Sequence, residues 1–363
     1  MLTFLHAADF HLDSPFHALP PDQAAERRQE QRQLLTRLAD AARQSQADLI
    51  FLAGDLFDSQ RVRPETIQAL YQVLEELEAE VFLSPGNHDP YTKVSPYHKF
   101  TWPSHVHFFT TPTPQRVELP QLGAVVYGGA FTASYRMDSP LAGLHAQEEG
   151  LAAFGCFHGD PASAHSRYGP IPQKEIAASG LDYLALGHLH TASGLLRAGK
   201  TWYAWPGCPE GRGFDECGQK GILQIDIDGD TTTAEFIPTA LRRYEKLRVE
   251  AGTDALAAIR AALPENTAED IYKIVLTGES AAAPDLAYLR QTLERKFFSL
   301  TLEDETCPPH ELFARAGEDS LAGRFLRRMQ RRLDAAQTEE EKRMLLRAVR
   351  HGIAALEGWE VRL

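Results

Sequence analysis

The chain has 363 residues, 43% of them hydrophobic and 24% charged, a composition typical of globular proteins that excludes wholesale disorder. Its length predicts two or three domains. The formal net charge of −13 argues against a simple nucleic-acid binder, because such proteins are usually basic. Nearly all of this charge precedes Arg242, and bound divalent cations would offset part of it.

Neither the N-terminus nor the cysteines indicate an exported protein. Residues 1–10 lack the basic stretch and the cleavage site of a secretory signal, and no apolar run reaches the roughly 18 residues of a membrane-spanning helix. The cysteines form no Cys-x-x-Cys pair, which argues against a disulfide framework or a structural zinc site. We therefore expect a cytoplasmic protein without membrane association.

The first two thirds of the chain alternates short apolar runs with longer helical patterns, which is typical of layered α/β proteins. Helices are predicted at residues 21–45 and 64–78, where apolar residues recur at helical spacing. The predicted strands are residues 2–8, 49–53, 81–84, 124–128, 151–157, 181–186, 201–205 and 222–227. The sequence Ile-Asp-Gly-Asp at residues 227–230 predicts a hairpin or a strand exit.

After Pro238 the pattern changes to a compact βαβαβ unit. Its strands are predicted at residues 247–251, 271–277 and 297–302, and its helices at 254–263 and 285–296. Cys307-Pro308-Pro309 ends this unit. We therefore expect three regions, residues 1–240, 241–306 and 307–363.

The third region is predicted to form two amphipathic helices. Their apolar stripes are Leu321, Phe325, Met329 and Leu333 on the first helix, and Leu345, Leu346, Val349, Ile353 and Leu356 on the second. Because such stripes need a covering surface, they favour docking on a partner. Five arginines between Arg324 and Arg332 indicate a solvated face, a contact to the DNA backbone or a docking helix.

Five polar motifs each follow a predicted strand. They are Asp9-Phe10-His11, Gly54-Asp55, Gly86-Asn87-His88-Asp89, His158-Gly159-Asp160 and Gly187-His188-Leu189-His190. Because ligands of open α/β sheets bind beyond the carboxyl ends of the strands, we expect these motifs to form one site. We expect the glycines before Asp55, Asn87 and His188 to allow tight turns after each strand.

The donor types in these motifs indicate metal binding. Oxygen and nitrogen ligands without thiolate favour manganese, iron or zinc. The candidate ligands are Asp9, His11, Asp55, Asn87, His158, His188 and His190. Seven donors are too many for one tetrahedral ion and suit two ions that share a carboxylate, an arrangement that activates water and orients phosphate.

This set of motifs resembles the calcineurin-like metallophosphoesterase superfamily. The flanking sequences HAADFHL at 6–12, AGDLFD at 53–58 and PGNHD at 85–89 resemble the Mre11/SbcD nuclease subunits. WPGCPEGR at 205–212 is similar to a loop of the bacterial YhaO-type subfamily. The resemblance implies a four-layer β-sandwich flanked by helices, followed by a small βαβαβ capping domain and C-terminal helices.

The resemblance also implies a role for each site residue. Asp9, His11, Asp55 and His190 would hold one ion, and Asp55, Asn87, His158 and His188 the other, with Asp55 bridging. His88 would stabilise the transition state and protonate the leaving oxygen, and Asp89 would orient His88 and pair with its charge. Arg212 would bind phosphate. The cofactor would be two divalent ions, Mn²⁺ before Fe²⁺, Mg²⁺ or Zn²⁺.

The implied function is that of a two-metal-dependent DNA exonuclease or endonuclease in a repair complex. Its partners would be DNA, an SMC-like ATPase bound by the C-terminal helices, and a second copy of the chain. The alternative is a metallophosphoesterase of small-molecule phosphodiesters, phosphomonoesters or phosphoproteins. Asp58-Ser59-Gln60 and Asp89 depart from the protein phosphatases, and the long C-terminal extension departs from the small cyclic-nucleotide enzymes. The intact ligand set argues against a scaffold with a decayed site.

Several neighbouring residues have a structural interpretation of their own. We expect His6 to be structural, and Tyr91 and Tyr97 to pack rather than stack on a base. Asp160 either turns the chain or positions His158. Asp58 stands where archaeal and eukaryotic Mre11 proteins carry a histidine. Asp58 either has a role like that of this histidine or caps a turn or a helix.

Overall fold

The computed structural model describes residues 1–229, 231–280 and 282–358. The chain divides into two compact units, Met1–Arg243 and Tyr244–Leu363. The division into three regions stays a prediction. Among the described residues, no helix combines the length and apolar character that crossing a membrane requires. All four cysteines carry free thiols.

The first unit is built on two six-stranded sheets. Its strands are β1 (Leu2–Ala7), β2 (Leu49–Leu52), β3 (Glu80–Leu83), β4 (Val106–Phe108), β5 (Gln115–Leu119), β6 (Ala124–Gly128), β7 (Ala152–His158), β8 (Tyr183–Gly187), β9 (Leu196–Ala198), β10 (Thr201–Ala204), β11 (Gly221–Asp228) and β12 (Thr231–Pro238). The strand orders are β12-β11-β1-β2-β3-β4 and β5-β6-β7-β8-β10-β9. Strands β1 to β4 are mutually parallel, as are β6, β7, β8 and β10.

Helices cover the outer faces of both sheets. They are α1 (Pro21–Ser45), α2 (Pro64–Glu76) and α3 (Gln173–Ala178). Successive residues of β1 enter different cores, because side chains alternate across a strand. Phe4 packs between the sheets against Phe51 and Phe154, whereas Leu5 joins the core under α1 and α2. Ile176 of α3 belongs to the core on the far side of the second sheet. These layers confirm the predicted α/β sandwich.

Sequence patterns predicted the central strands and missed the edges. Strands β4, β5, β9 and β12 were not predicted, and they are the outermost strands of the two sheets. Edge strands are commonly short or polar, so they lack the apolar run that marks a buried strand. The hairpin predicted at residues 227–230 is confirmed, since Asp228 of β11 pairs with Thr231 of β12.

The second unit contains the predicted βαβαβ arrangement. Strands β13 (Tyr244–Glu250), β14 (Ile271–Thr277) and β15 (Ser299–Asp304) form a parallel sheet, and α4 (Ala255–Ala262) and α5 (Leu286–Leu293) connect them. Asp254 and Asp285 cap the two helices, because their side chains accept the backbone N–H groups of Ala257 and Tyr288.

The C-terminal helices cover one another. After α6 (His310–Ala314), helices α7 (Leu321–Ala335) and α8 (Glu339–Leu356) pack together. Their shared core consists of Leu326, Met329, Leu345, Val349 and Ile353. The predicted stripe on α7 was therefore partly wrong.

The error on α7 arises from the spacing that was assumed. Leu321 is 70% exposed, whereas Leu326 is fully buried. A helix face advances by about 3.6 residues per turn, not four. The two stripes bury each other along most of their length, so only their exposed residues Leu321 and Leu356 are left to contact an external partner. The arginines between Arg324 and Arg332 are all exposed.

A buried arginine joins α1 to the chain that follows β10. The Arg27 side chain has no solvent exposure, and its guanidinium donates to Glu30 at 2.5 Å, to Glu210 at 2.8 Å and to the Gly211 carbonyl at 3.2 Å. Arg242 donates to the same Glu30 carboxylate at 2.9 Å. We call Arg27, Glu30, Glu210 and Arg242 the buried ion network.

Replacing Arg27 should destabilise the first unit. In Arg27→Ala the Glu210 carboxylate stays buried without its cation, and we expect the unfolding free energy to fall by about 3–5 kcal/mol. Denaturant unfolding followed by tryptophan fluorescence measures this loss, since Trp102, Trp202 and Trp205 lie in this unit. Arg43→Ala on the same helix is the control, because its partner Asp40 is exposed. Equal losses in both variants would contradict the prediction.

Candidate metal centre

The seven predicted ligands lie together at the carboxyl ends of five strands. Asp9 and His11 follow β1, Asp55 follows β2 and Asn87 follows β3, all in the first sheet. The ligands His158, His188 and His190 come from the ends of β7 and β8 in the second sheet. The site therefore forms only where the two sheets meet at one end of the sandwich.

The Nε2 atoms of His11, His158 and His190 point toward the middle of the site, where they lie close to other candidate ligand atoms. Nε2 of His11 lies 3.3 Å from Nε2 of His190, and Nε2 of His158 lies 3.0 Å from the Asn87 Oδ1. The Asp55 Oδ2 lies 3.7 Å from Nε2 of His11 and 3.4 Å from Nε2 of His158. Asp55 thus lies between the two groups of ligands, where a bridging carboxylate has to be.

The outer nitrogens of these rings face oxygen acceptors. Nδ1 of His158 lies 3.0 Å from the Ala53 carbonyl, and Nδ1 of His190 lies 2.7 Å from the Glu216 carboxylate. Nδ1 of His11 lies 3.4 Å from the Asp58 carboxylate. Metal-binding histidines characteristically donate their second N–H to such a carbonyl or carboxylate, which fixes the ring with its lone pair toward the ion.

This arrangement fits bound cations. If Nδ1 carries the hydrogen in His11 and His190, two nitrogen lone pairs face each other at 3.3 Å, a contact that a cation relieves. Three groups of potential ligand atoms each lie within 4.8 Å of one another: Asp9 with His11 and His190, Asp9 with Asp55 and His158, and His11 with Asp58 and His88. Which residue holds which ion stays a prediction.

Burial and charge shift the pKa values of the ligands. Burial raises the pKa of Asp9 to about 6, although His158 and His190 oppose this shift. Burial disfavours the charged forms of Asp55 and His158 as well, yet their mutual attraction holds the pKa of Asp55 well below its usual range and raises the pKa of His158 to about 9. The two carboxylates therefore favour positive charge at this point of the site, as a cation-binding site requires.

The backbone of four ligands is strained. Asp9, His11, Asp55 and His188 have φ angles of 55°, 44°, 51° and 103°, in a region that residues other than glycine rarely adopt. Such strain persists only where the surrounding structure enforces it, and it concentrates at functional sites. Backbone hydrogen bonds enforce it at Asp9 and His11, whose N–H groups donate to the carbonyls of Gly54 and Asp55.

The glycines before Asp55, Asn87 and His188 are all required for close approach, and of the three only Gly54 has a positive φ. A Cβ at Gly187 would collide with the Ala53 carbonyl. A Cβ at Gly54 would lie 2.3 Å from Nδ1 of His158, and one at Gly86 would lie 2.2 Å from the Asp55 carboxylate. Gly54 has the predicted turn conformation, with φ of 88°. Gly86 is not among the positive-φ residues, so its small size is what matters.

His88 differs from the candidate ligands because its side chain is exposed. Its Nδ1 lies 3.0 Å from the backbone carbonyl of Asp58, and its ring packs edge-on against His11. Because a carbonyl only accepts, Nδ1 carries a hydrogen and Nε2 is left to exchange a proton with a ligand.

The predicted pairing of Asp89 with His88 is wrong. The Asp89 carboxylate is buried and accepts hydrogen bonds from the backbone N–H groups of Leu56, Phe57 and Gly86 and from the Tyr97 hydroxyl. Asp89 therefore joins the loops after β2 and β3, and Asp58 holds His88 instead. Adjacency in the sequence suggested a contact that the loop geometry does not make.

Arg212 lies at the site in a network that includes a residue not predicted from the sequence. Its guanidinium donates to Glu216 at 2.5 Å and to Asp58 at 3.3 Å, and its Nη2 lies 3.0 Å from Nδ1 of His190. Glu216 is buried, and hydrogen bonds from His190 and Arg212 hold its pKa well below the usual range although burial opposes this. The four-residue spacing of Arg212 and Glu216 was the available signal.

The expected structural residues have contacts of that kind. His6 is fully buried, with its ring nitrogens 2.9 Å from the Tyr183 hydroxyl and 3.0 Å from the Leu186 carbonyl, so it joins β1 to β8. Burial lowers the pKa of His6 to about 3, which keeps it neutral. Asp160 accepts the N–H groups of Ala162 and Ser163, as a turn residue does, and lies 4.0 Å from His188.

Comparison with known proteins bears on the chemistry of this site. The family described as calcineurin-like phosphoesterase matches residues 2–192. The chain is 30% identical over 260 residues to a Bacillus subtilis protein named uncharacterized metallophosphoesterase YhaO, and the matched region covers 69% of this chain and 63% of that protein.

Two further relatives have names that specify a role in DNA metabolism. The SbcD component of the nuclease SbcCD from Bacillus subtilis is 27% identical over 267 residues, which cover 62% of this chain and 66% of that protein. The DNA double-strand break repair protein Mre11 of Methanopyrus kandleri is 26% identical over 265 residues, covering 64% and 56%. The chain thus spans less than two thirds of the length of each relative.

Glu216 should control metal affinity through His190. Glu216→Gln preserves the shape of the side chain but removes the charge that holds Nδ1–H of His190, so we expect metal affinity to fall about 10- to 100-fold. Titration calorimetry with Mn²⁺ measures the change directly. Glu118→Gln is the control, because Glu118 is half-exposed and pairs with Arg116 instead. An unchanged dissociation constant in Glu216→Gln would refute the role of Glu216.

Proposed function

The chain belongs to the calcineurin-like phosphoesterase family, and from this premise we propose that it is a two-metal-dependent DNA phosphodiesterase of the Mre11/SbcD kind. Family membership makes it a metal-dependent phosphoester hydrolase. The choice of DNA as substrate is supported by the two relatives whose names specify a nuclease and a break-repair protein. Both exonuclease and endonuclease action fall within the proposal.

The observation that carries the catalytic proposal is an exposed histidine beside a buried cluster of ligands. Asp9, His11, Asp55 and His158 are almost inaccessible to solvent, whereas the His88 side chain is exposed. Bound divalent ions would polarise a phosphoryl oxygen and lower the pKa of water. The residues that bind the ions are thus shielded, and the residue that meets the substrate is open.

The chain's own residues account for the remaining chemistry. His88 donates a proton from Nε2 to the leaving oxygen, while the Asp58 carbonyl holds its Nδ1. Arg212 carries a positive charge next to His190 and offsets the charge of a bound phosphate. Asp89 has a positioning role, because it holds together the loops that carry Asp55 and His88.

We propose two ions, with Mn²⁺ as the preferred metal and Fe²⁺, Mg²⁺ or Zn²⁺ as the alternatives. The proposed ligands are carboxylates, imidazoles and one amide, a donor set that suits manganese and iron and excludes no common hard cation. The two ions would also offset part of the negative charge of the first unit. A cytoplasmic location belongs to the same proposal.

A small phosphodiester or phosphomonoester is the second candidate substrate. The observation that favours it is the acidity of the sequence before Arg242, which repels a polyanion such as DNA. A small substrate would need only the ions, His88 and Arg212, whereas DNA requires additional contacts.

The proposed partners are an SMC-like ATPase and a second copy of the chain. The name of the SbcCD component identifies that relative as one part of a larger nuclease. On this chain, the C-terminal helices carry apolar side chains outside their shared core, since Leu321, Met344 and Leu356 are 70%, 60% and 40% exposed. These three residues are the proposed contact with the ATPase.

Cleavage of end-labelled linear DNA by the purified protein tests the substrate. We expect label to be released with Mn²⁺, and expect a chelator or His88→Ala to reduce the rate by at least 100-fold, since general acid catalysis contributes about 10²–10⁴-fold. His98→Ala is the matched control, because His98 is an exposed histidine that is not among the candidate site residues. Hydrolysis of bis(p-nitrophenyl) phosphate without DNA cleavage would favour the small-molecule alternative.

Charged substitutions on the exposed leucine and methionine test the ATPase contact. In the full chain, Leu321→Glu combined with Met344→Glu should abolish co-purification with the SMC-like ATPase of the same organism, because a carboxylate cannot enter an apolar interface without a large cost. Tyr288→Glu, at another exposed position of the second unit, is the control. Retention of the ATPase by the double variant would exclude this contact.

A further inference from the structure

A row of aromatic and cationic side chains leads from solvent to the metal ligand His188. The Tyr168 ring lies 5.2 Å from the His188 ring, and the Tyr135 ring lies 5.7 Å from the Tyr168 ring. The Arg167 guanidinium lies 4.6 Å from the Tyr135 ring centre and 5.5 Å from that of Tyr168. We call Tyr135, Arg167 and Tyr168 the aromatic strip.

The strip is held in place by backbone hydrogen bonds between two loops. Arg136 N–H donates to the Arg167 carbonyl at 2.9 Å, and Gly169 N–H donates to the Arg136 carbonyl at 2.8 Å. The backbone N–H of Asp160, two residues after the ligand His158, donates to the Gly169 carbonyl at 2.8 Å. The backbone that carries the strip is therefore connected to the loop that follows β7.

The side chains of the strip do not belong to a hydrophobic core, because most of them are exposed. Tyr135 is 56% exposed, and Arg167 is exposed as well. Within the described part of the chain, no carboxylate pairs with Arg167, whereas the neighbouring Arg136 is paired with Asp138 at 3.1 Å. Arg167 therefore presents a guanidinium that no carboxylate of the described residues neutralises, in a part of the chain whose net charge is negative.

Flat aromatic faces next to an unpaired guanidinium match the chemistry of a nucleotide. Bases stack on tyrosine whatever their sequence, and arginine adds cation–π contacts and binds the phosphate. We infer that the aromatic strip binds an unpaired nucleotide of the DNA substrate, next to the phosphodiester at the metal centre. A base stacks on Tyr135, and the phosphate of the same nucleotide contacts Arg167. This inference rests on the proposed function.

The position of the strip favours this occupant over a protein partner. Tyr168 contacts Arg167 on one side and His188 on the other, so a DNA strand bound along the strip continues directly into the site. A protein docked there would block the same path. The strip also supplies the additional contact that a polyanion requires on an acidic surface, since Arg167 is free to bind phosphate.

The test compares a short single-stranded oligonucleotide with bis(p-nitrophenyl) phosphate, which is too short to reach Tyr135 from the metal centre. For each variant of the full chain, we take the KM for the oligonucleotide divided by the KM for the diester. This ratio reports the contribution of the strip to binding, because only the oligonucleotide reaches it. Tyr135→Ala should raise this ratio about tenfold, which is the expected loss of one base–aromatic stack. Tyr135→Phe should keep the ratio near that of the wild type, because the ring is retained.

Two further variants separate stacking from charge and from general effects. Arg167→Gln should reduce the slope of log KM for the oligonucleotide against log salt concentration by about 0.7, the value for one lost phosphate contact on a single strand. Tyr288→Ala, which removes an exposed tyrosine of the second unit, should leave both quantities unchanged. A merely structural role of Tyr135 would raise both KM values together and leave their ratio constant.

Each outcome has a distinct meaning. If the wild-type enzyme cleaves the oligonucleotide and the ratio is unchanged in Tyr135→Ala, the strip does not bind a nucleotide, and the proposed function stays intact. A wild-type enzyme that hydrolyses the diester but neither cleaves nor binds the oligonucleotide would overturn the inferred binding by the strip, and failure to cleave the end-labelled linear DNA as well would overturn the proposed function. A ratio unchanged in Tyr135→Ala together with loss of the ATPase in pull-down would assign the strip to a protein partner instead.

Discussion

Two carboxylates, Asp9 and Asp55, lie buried where the carboxyl ends of two sheets meet, and the local structure is arranged around their charge. Burying a carboxylate without a cation is costly, so the positive charge has to come from imidazolium, from arginine or from metal ions. Within the chain, the nearest source is His158, because Asp55 raises the pKa of its imidazole to about 9. Because His158 belongs to the second sheet and Asp55 to the first, the same interaction aligns the two halves of the site.

A chain of contacts carries this alignment outward from the ligands. Glu216 orients His190, Arg212 joins Glu216 to Asp58, and Asp58 holds His88 through its carbonyl. The segment that contains Arg212 is anchored in turn to α1 by Arg27, which binds Glu210 and Gly211. A fully buried arginine on α1, 184 residues before Gly211 in the sequence, thus positions the loop that completes the site.

Prediction from the sequence succeeded where a residue's environment is set by its neighbours along the chain. The motifs that carry the candidate ligands lie together as predicted, because each follows a strand and parallel strands end at a common edge. The four edge strands were missed because they are short or polar and lack the apolar run that marks a buried strand. Asp89 was assigned to His88 by adjacency, yet it accepts hydrogen bonds from Leu56 and Gly86, and Glu216 was not found because its partner His190 lies 26 residues away.

The sequence by itself determined the family resemblance, the layered fold class and the seven donor residues, since these depend on the order and spacing of residue types. Only the tertiary structure decided which nitrogen of each histidine faces the site, which glycine is needed for close approach and which acid holds which base. It also placed Tyr168 beside His188, and Tyr135 and Arg167 beside Tyr168, although no motif connects them. Those outcomes depend on distances between separate loops, which are set by the packing of two sheets and are not encoded in the spacing along the chain.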